Sequence, residues 1–120
     1  MAELNDLSVD RNFNLKEFES PEQLVKIHPQ VVGQLQNMRD HLGKPIKVTS
    51  GYRTPAHNKA VGGSRGSKHM SGTAADIQCA GVSLDDLVNQ ARLSGFIGIG
   101  IYRSQNFIHV DLGPKRTWNG

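Results

Sequence analysis

The sequence predicts a single small α+β domain, in which helices pack against a small, largely antiparallel sheet. Three observations support this fold class. The length of 120 residues fits one domain, the first half carries the clearest helical apolar pattern, and the second half carries short strands with one inserted helix. Residues 1–12 are polar and are predicted to form an N-terminal arm, which leaves residues 13–120 as the domain.

Helix signals occur at three places. Ser20, followed by proline and glutamate, is typical of an N-cap and predicts a helix start. The clearest helix is predicted over residues 29–42, where apolar side chains recur at helical spacing and Gly43 follows as a stop. Another helix is predicted to begin after Ser83 and to end near Gly95.

Four short segments predict strands. They cover residues 46–49, 74–78, 96–102 and 107–112, and the last two are expected to form a hairpin with a turn at residues 103–106. Residues 50–73 are rich in glycine, serine and other polar residues. A loop of that length in a compact domain is uncommon and is often functional.

Composition excludes several classes of protein. Cys79 is the only cysteine, so neither an internal disulfide nor a cysteine-rich zinc finger can form. The net charge is +3, but the basic residues are scattered and no nucleic-acid-binding motif is present, so no nucleic-acid partner is expected. No apolar stretch could span a membrane, and the N-terminus lacks a secretory signal. We expect cytoplasmic synthesis without a signal peptide, no membrane partner and, by default, a monomer.

Two histidines and one aspartate form a candidate metal site. His69 and Asp76 are seven positions apart, which is too far to share a metal on one helix, but a loop leading into a strand can bring them together. Gly72 supplies freedom for the bend, and the small Ala74 shares a strand face with Asp76. His109 lies on the polar face of the last predicted strand, where burial is costly unless the side chain is paired or ligated.

Two imidazoles and a carboxylate suit catalytic Zn²⁺ with water as the fourth ligand, although iron or cobalt can also bind such a set. The metal would lower the pKa of that water and polarise a scissile carbonyl. Taken separately, a lone histidine in a loop is usually a solvated side chain, and a lone histidine in a strand is usually a hydrogen-bonded core residue.

Several motifs together resemble the zinc D-Ala-D-Ala carboxypeptidase family, which includes peptidoglycan endopeptidases and phage lysis enzymes. Residues 67–76 (SKHMSGTAAD) resemble the family motif S-x-H-x-x-G-x-A-x-D, and residues 107–111 (FIHVD) resemble its third-ligand strand. Residues 50–58 (SGYRTPAHN), the GIGIY of residues 98–102 and the tail with Arg116 and Trp118 also fit. The resemblance implies one zinc ion per chain, held by His69, Asp76 and His109.

The same resemblance suggests three substrate-binding residues. Arg53 matches an arginine that contacts a substrate carboxylate or the polarised carbonyl, and a guanidinium suits a carboxylate at two points. A structural ion pair is the alternative role for Arg53. Ser67 fits either a hydrogen bond within the site or a loop cap. His57 is either a substrate or ligand contact or a solvated loop residue.

The general base is where the sequence departs from the family. Several branches carry Glu, Asp or His three residues before the third ligand, and here that position is Asn106, which cannot act as a base. Asp111 lies on the ligand face and is the candidate catalytic residue. An equally good hypothesis makes Asp111 a carboxylate that orients a ligand histidine.

The resulting hypothesis is a zinc metallopeptidase that hydrolyses peptidoglycan stem peptides or cross-links, as a carboxypeptidase or an endopeptidase. The sequence does not identify which peptide bond is hydrolysed. We expect the protein to act on the cell wall. The small size and missing signal suggest a phage lysis enzyme (endolysin). The alternative is a non-catalytic zinc-containing binding domain of the same fold, which the missing base favours.

Overall fold

A computed structural model describes residues 4–120 and confirms the α+β class. The described strands are β1 (Ser8–Asp10), β2 (Phe13–Asn14), β3 (Lys47–Ser50), β4 (Ala74–Gln78), β5 (Gly98–Tyr102), β6 (Phe107–Asp111) and β7 (Arg116–Asn119). The described α-helices are α1 (Pro29–Leu42), α2 (Pro55–Ala60) and α3 (Leu84–Leu93). Two 3₁₀ turns, Leu15–Phe18 and Arg103–Gln105, complete the elements of this part of the chain.

The main sheet has five strands in the order β3-β4-β6-β5-β7. Its first three pairings are antiparallel, as the sequence predicts, and β5 and β6 form the expected hairpin. The sheet is nevertheless mixed, because β7 was not predicted and pairs in parallel with β5. Strand β6 lies between β4 and β5 in the interior of the sheet, and β7, not β6, is the last strand of the chain.

Helix α1 matches its predicted bounds, Pro29–Leu42. Pro29 occupies the first turn, where its missing N–H costs nothing, and the side chain of His28 caps the next free amide. Gly43 ends the helix with φ +65°, a left-handed conformation that glycine adopts without strain. Helix α3 likewise begins at the predicted cap, Ser83, whose side chain accepts from the Asp86 N–H.

The helix predicted to start at Ser20 is absent, and this prediction was wrong. The Ser20 hydroxyl accepts from the Leu24 N–H and closes a turn, so it does not cap a helix. Gln23 then has φ +63°, which a continuing right-handed helix does not allow. The next helix of the described chain begins only at Pro29.

Part of the predicted N-terminal arm is folded onto the domain. Strand β1 pairs with β2, and Val9 packs against the core. Phe13 and Phe18 are buried, with ring centroids 6.0 Å apart, and anchor this segment. Residues 1–3 of the arm lie outside the described residues.

One continuous core lies between the sheet and helices α1 and α3. Its buried members come from both layers: Val31, Val32, Leu35, Met38, Ile77, Leu87, Val88, Ala91, Phe96, Ile99, Ile108 and Val110. Ile108 and Val110 face this core, as predicted, and this leaves the alternate residues of β6 for the opposite face. No helix in residues 4–120 combines the length and the apolar character that crossing a membrane requires.

The buried core leads to a prediction about the free energy of unfolding. Leu35 is fully buried, so Leu35→Ala should lower the free energy of unfolding by about 2–5 kcal/mol through lost burial and the remaining cavity. Leu93, on α3, is 77% exposed, and Leu93→Ala should change it by less than about 0.5 kcal/mol. Urea unfolding of both variants at equal zinc concentration measures the difference. Equal effects of the two substitutions would contradict this core.

Candidate metal centre

Strand register brings two of the three predicted ligands face to face. Asp76 on β4 lies directly opposite His109 on β6, and side chains of directly opposed residues project from the same face of a sheet. Ala74, two positions before Asp76, is opposite Asp111 in the same ladder. Both ligand candidates are buried on the face away from the hydrophobic core.

The third candidate, His69, enters from the turn before β4. Gly72 makes this turn with φ +72°, and its carbonyl accepts from the His28 N–H at 2.8 Å. A Cβ at Gly72 would lie 2.5 Å from the Lys26 carbonyl oxygen, so only glycine fits both the conformation and the close approach. The bend predicted at this residue therefore has two physical causes.

The three side chains form a nearly equilateral triangle of ligand atoms. His69 Nε2 is 3.1 Å from Asp76 Oδ1, His109 Nδ1 is 3.0 Å from the same oxygen, and the two nitrogens are 3.2 Å apart. Ligands at zinc distances of 2.0–2.1 Å in a tetrahedron lie about 3.3 Å from each other. The residues present therefore fit one face of a tetrahedral zinc site.

Hydrogen bonds behind the rings assign the tautomers. His69 Nδ1 is 2.7 Å from the Gly51 carbonyl oxygen, which can only accept, so Nδ1 carries the proton. His109 Nε2 is 2.8 Å from Asp111 Oδ2 and donates in the same way. Each neutral imidazole therefore directs a lone pair to Asp76 Oδ1, and three electron-rich atoms about 3 Å apart need a cation between them.

The electrostatics of the centre point in the same direction. Burial alone would raise the pKa of Asp76, but His109 and His69 donate hydrogen bonds to it when their imidazoles carry a second proton, and these bonds outweigh burial and lower this pKa to about 2. Burial would lower the pKa of His109, whereas hydrogen bonds to Asp111 and Asp76 raise it. The carboxylates thus stay ionised and favour positive charge at the centre, which a metal ion supplies.

Asp111 lies behind His109 and is fully buried. Its Oδ2 accepts from His109 Nε2 and from Arg116 Nη2, each at 2.8 Å, while its Oδ1 accepts from Arg116 Nη1 at 3.2 Å and the Gly113 N–H at 2.9 Å. Burial would raise the pKa of Asp111, but the bonds from His109, Arg116 and Gly113 lower it. Both oxygens are therefore engaged away from the ligand triangle.

Strand β7 completes this side of the centre. The Arg116 guanidinium lies 4.6 Å above the Trp118 ring, and that ring is 5.2 Å from the imidazole of His109. A side chain at Gly98 would overlap Asp111, and one at Gly100 would overlap Trp118. The two glycines of β5 therefore leave the space that the Asp111–Arg116 ion pair and the indole occupy.

A groove of about 470 Å³ opens over the triangle. One group of its lining residues comes from residues 61–69, and another comes from the aromatic side chains of Tyr102, Phe107 and Trp118. The Tyr102 and Phe107 rings stack with centroids 4.5 Å apart, and the Trp118 indole N–H donates to the Tyr102 hydroxyl at 3.0 Å. The groove thus has an aromatic side next to the candidate ligands.

Arg53 also lines the groove and is mostly buried. Its Nη2 is 3.8 Å from Asp76 Oδ2, and its Nη1 donates to Asn58 Oδ1 at 3.2 Å. Among the described residues its Nε has no hydrogen-bond acceptor. A buried guanidinium with unused donor capacity beside the triangle is placed to bind an anionic or polarised group.

The other predicted site residues are placed differently. Ser67 lines the groove, but its hydroxyl accepts from the His69 N–H at 3.3 Å, which is a loop cap as well as a groove position. His57 lies outside the groove and lines a separate depression with Tyr52 and Pro21. Asn106 is exposed and has φ +55° at the end of the turn before β6, a left-handed position that asparagine tolerates.

Sequence reasoning did not find three supporting groups: the Gly51 carbonyl, Asn58 as the acceptor for Arg53, and the ion pair of Arg116 with Asp111. A backbone carbonyl leaves no signal in residue identity. The short distance along the chain between Asp111 and Arg116 was a usable signal, because an isolated acidic residue in an apolar strand requires a partner.

Comparison with known proteins finds one matching family model and several related sequences. The peptidase M15 family model matches residues 3–111. The chain is 36% identical over 106 residues to the probable peptidoglycan L,D-endopeptidase MepK of Haemophilus influenzae, covering 82% of this chain and 57% of that protein. It is 35% identical over 99 residues to the peptidoglycan L,D-endopeptidase MepK of Escherichia coli K12, covering 77% and 54%.

A further relative is the zinc D-Ala-D-Ala carboxypeptidase of Streptomyces albus G, 38% identical over 90 residues, covering 72% of this chain and 35% of that protein. The chain therefore spans little more than half the length of the two endopeptidases and about a third of the carboxypeptidase. The matches confirm the predicted resemblance, and zinc is the metal that the family and the donor set imply.

Metal content tests the triangle. His109→Ala removes one of three ligands and should lower bound zinc from one ion per chain to below a tenth of that. It should also lower the melting temperature in zinc-containing buffer, because a metal that binds only the native state stabilises it. The control is His41→Ala, which removes an exposed histidine of α1. Elemental analysis after gel filtration gives the metal content, and wild-type zinc in His109→Ala would refute the assignment.

Proposed function

The chain belongs to the peptidase M15 family, and on that basis we propose that it hydrolyses peptide bonds of bacterial peptidoglycan at a zinc centre held by His69, Asp76 and His109. The single observation that carries the proposal is the triangle of ligand atoms, 3.0–3.2 Å apart, at the bottom of a groove. The proposed peptidase domain is the single domain of residues 13–120.

When bound, zinc supplies Lewis acidity, activating a water molecule and polarising the scissile carbonyl. The chain's own side chains do the rest. Asp76 and the two imidazoles hold the ion, and the Gly51 carbonyl keeps the proton of His69 on Nδ1. The Arg53 guanidinium binds a substrate carboxylate or the carbonyl oxygen on which charge develops. Ser67 fixes the turn that presents His69.

For Asp111 we propose an orienting role. Its carboxylate keeps the proton of His109 on Nε2, so that Nδ1 offers its lone pair to the metal. The supporting observation is its environment: it is fully buried, and four hydrogen bonds engage its two oxygens on the far side of the imidazole. A general base must instead lie within hydrogen-bond reach of the proton that it accepts.

The substrate class is carried over from the relatives that are named as peptidoglycan enzymes. Peptidoglycan stem peptides bear carboxylates, and the cations Arg53, Lys68 and Arg116 line the groove. We propose the cell wall as the place of action. We also propose that a monomer suffices, because one chain supplies all three candidate ligands and the groove.

A second candidate function is a non-catalytic zinc-containing binding domain. The observation that favours it is the absence, among the described residues that line the groove, of any carboxylate or imidazole besides the three ligand candidates. In that case the groove would bind wall peptides without cleaving them. The two functions differ in turnover and agree in zinc content.

Digestion of purified peptidoglycan separates the two functions. The zinc-loaded protein should release soluble fragments, a chelator should abolish the release, and His109→Ala should be inactive. Mass spectrometry of the fragments identifies the bond, because carboxypeptidase and endopeptidase cleavage give different masses. Intact peptidoglycan after incubation with protein that carries one zinc per chain would overturn hydrolysis and support the binding domain.

Substitution of Asp111 by asparagine tests the orienting role. The carboxamide that replaces the carboxylate could accept from His109 only by turning its NH₂ group toward the Arg116 guanidinium. Asp111→Asn should therefore weaken zinc affinity by about 10–100-fold. Competition with a chromogenic chelator measures the affinity.

Asp85→Asn is the matched control, because Asp85 also pairs with an arginine, Arg103, but on the exposed surface. Unchanged zinc affinity with hydrolysis reduced by about a hundredfold would instead identify Asp111 as the base.

A further inference from the structure

Asn58 is a buried polar residue that the proposed chemistry does not use. It lies in α2 and is only 4% exposed. Its side-chain Oδ1 accepts from Arg53 Nη1 at 3.2 Å, and its Nδ2 donates to the Ser64 carbonyl at 2.8 Å. Its backbone carbonyl accepts from the Gly63 N–H, also at 2.8 Å. The side chain and the backbone carbonyl of Asn58 thus form hydrogen bonds with residues that line the groove.

These bonds join two parts of the groove that are otherwise separate. One is Arg53, and the other is residues 61–67 (VGGSRGS), which we term the glycine-rich segment. Several of its residues line the groove. A segment with three glycines in seven residues has a large backbone entropy, so a fixed groove wall requires tethers to the body of the domain. The two bonds from Asn58 are such tethers.

The glycine-rich segment approaches Asn58 and Arg53 closely at Gly63. A Cβ at this position would overlap Asn58 Oδ1 and lie 3.0 Å from Arg53 Nη1. The φ of Gly63 is outside the left-handed region, so packing against these two side chains explains the glycine. Gly66, in the same segment, also has an ordinary φ, and a Cβ there would meet no atom within 4 Å.

The Arg53 guanidinium has few other contacts that could fix it. Its Nε has no acceptor among residues 4–120, its Nη2 reaches Ser50 Oγ only at 3.5 Å, and Asp76 Oδ2 is 3.8 Å away. The bond to Asn58 is therefore the shortest of these polar contacts of the guanidinium. A carboxamide suits this position because it combines an acceptor for the guanidinium with a donor for the Ser64 carbonyl.

We propose that Asn58 is a positioning residue, which holds Arg53 and the glycine-rich segment together as one preformed wall of the substrate groove. Its effect on turnover rests on the proposed peptidase function, whereas its effect on the segment does not. A preformed wall lowers the entropy that substrate binding must overcome, so its loss should appear mainly in KM.

The test is Asn58→Ala in the zinc-loaded protein. Amide hydrogen exchange of residues 63–67 should become at least tenfold faster. KM for soluble muropeptides should rise by about tenfold or more, the order of one hydrogen bond to a charged group, with kcat within threefold. Zinc should remain at one ion per chain, because Asn58 contacts none of the candidate ligands directly.

Two further variants test separately the contact of Asn58 with Arg53 and its contact with the glycine-rich segment. Asn58→Asp keeps an acceptor for Arg53 but loses the donor to Ser64, so its KM should lie between those of the wild type and of Asn58→Ala while exchange stays fast. Gly63→Ala should also accelerate exchange by forcing Asn58 and the segment apart. Gly66→Ala is its matched control in the same segment and should keep wild-type exchange.

Gln36→Ala controls for the loss of any buried carboxamide. Gln36 bonds Asn12 and Asp40 far along the chain from the groove residues, so this variant should lose stability without a change in KM. Exchange within twofold of wild type in Asn58→Ala, or an equal rise in KM in Gln36→Ala, would overturn the proposal. A wild-type protein without turnover would refute the peptidase function, and exchange would then decide the role of Asn58.

Discussion

The structure depends on the candidate metal centre, where three lone pairs point into one small space. They repel each other unless a cation lies between them. Asp76 and His109 are fixed by the register of two interior strands, and His69 is fixed by the turn at Gly72. Hydrogen bonds to Gly51 and Asp111 place both imidazole protons on the outer nitrogens, so neither ring can relieve the repulsion by changing its tautomer without losing a buried bond. The rest of the domain supports this arrangement, which is costly to fold without a metal.

The sheet order explains how so small a domain encloses such a centre. The face of β6 that carries Ile108 and Val110 completes the hydrophobic core, and the other face carries His109 and Asp111. Strand β5 has two glycines on that second face, which leaves room for residues of β7 to cover the histidine. Arg116 neutralises Asp111 there, which makes a fully buried carboxylate tolerable. One face of β6 thus packs in the core, and its other face carries part of the candidate metal centre.

The sequence was sufficient for features that depend on local physics. Helical spacing and caps located α1 and α3, the short segments 74–78 and 107–112 located β4 and β6, and the polar face of β6 marked His109 as a candidate ligand. It failed where contacts between distant parts of the chain contribute: β7 pairs with β5 where Gly98 and Gly100 leave room for it, and Gln23, whose carbonyl accepts from Asn5 Nδ2, takes a left-handed conformation in the turn at Ser20. The position of His57, a surface depression instead of the groove, also depends on the path of the whole loop.

The division between rigid and adjustable parts of the groove follows from these same contacts. The metal centre lies on paired strands, where each ligand has a second bond behind it, and the aromatic side is held by stacking and by the hydrogen bond between Trp118 and Tyr102. The opposite side is built from glycine-rich backbone, whose order comes from a few side-chain tethers. Chemistry at a metal requires ligands fixed within fractions of an ångström, and under the proposed function the glycine-rich wall must likewise be held in place before a substrate binds. In the proposed function, a single buried carboxamide between helix α2 and this wall would therefore have more influence on substrate binding than its distance from the metal centre suggests.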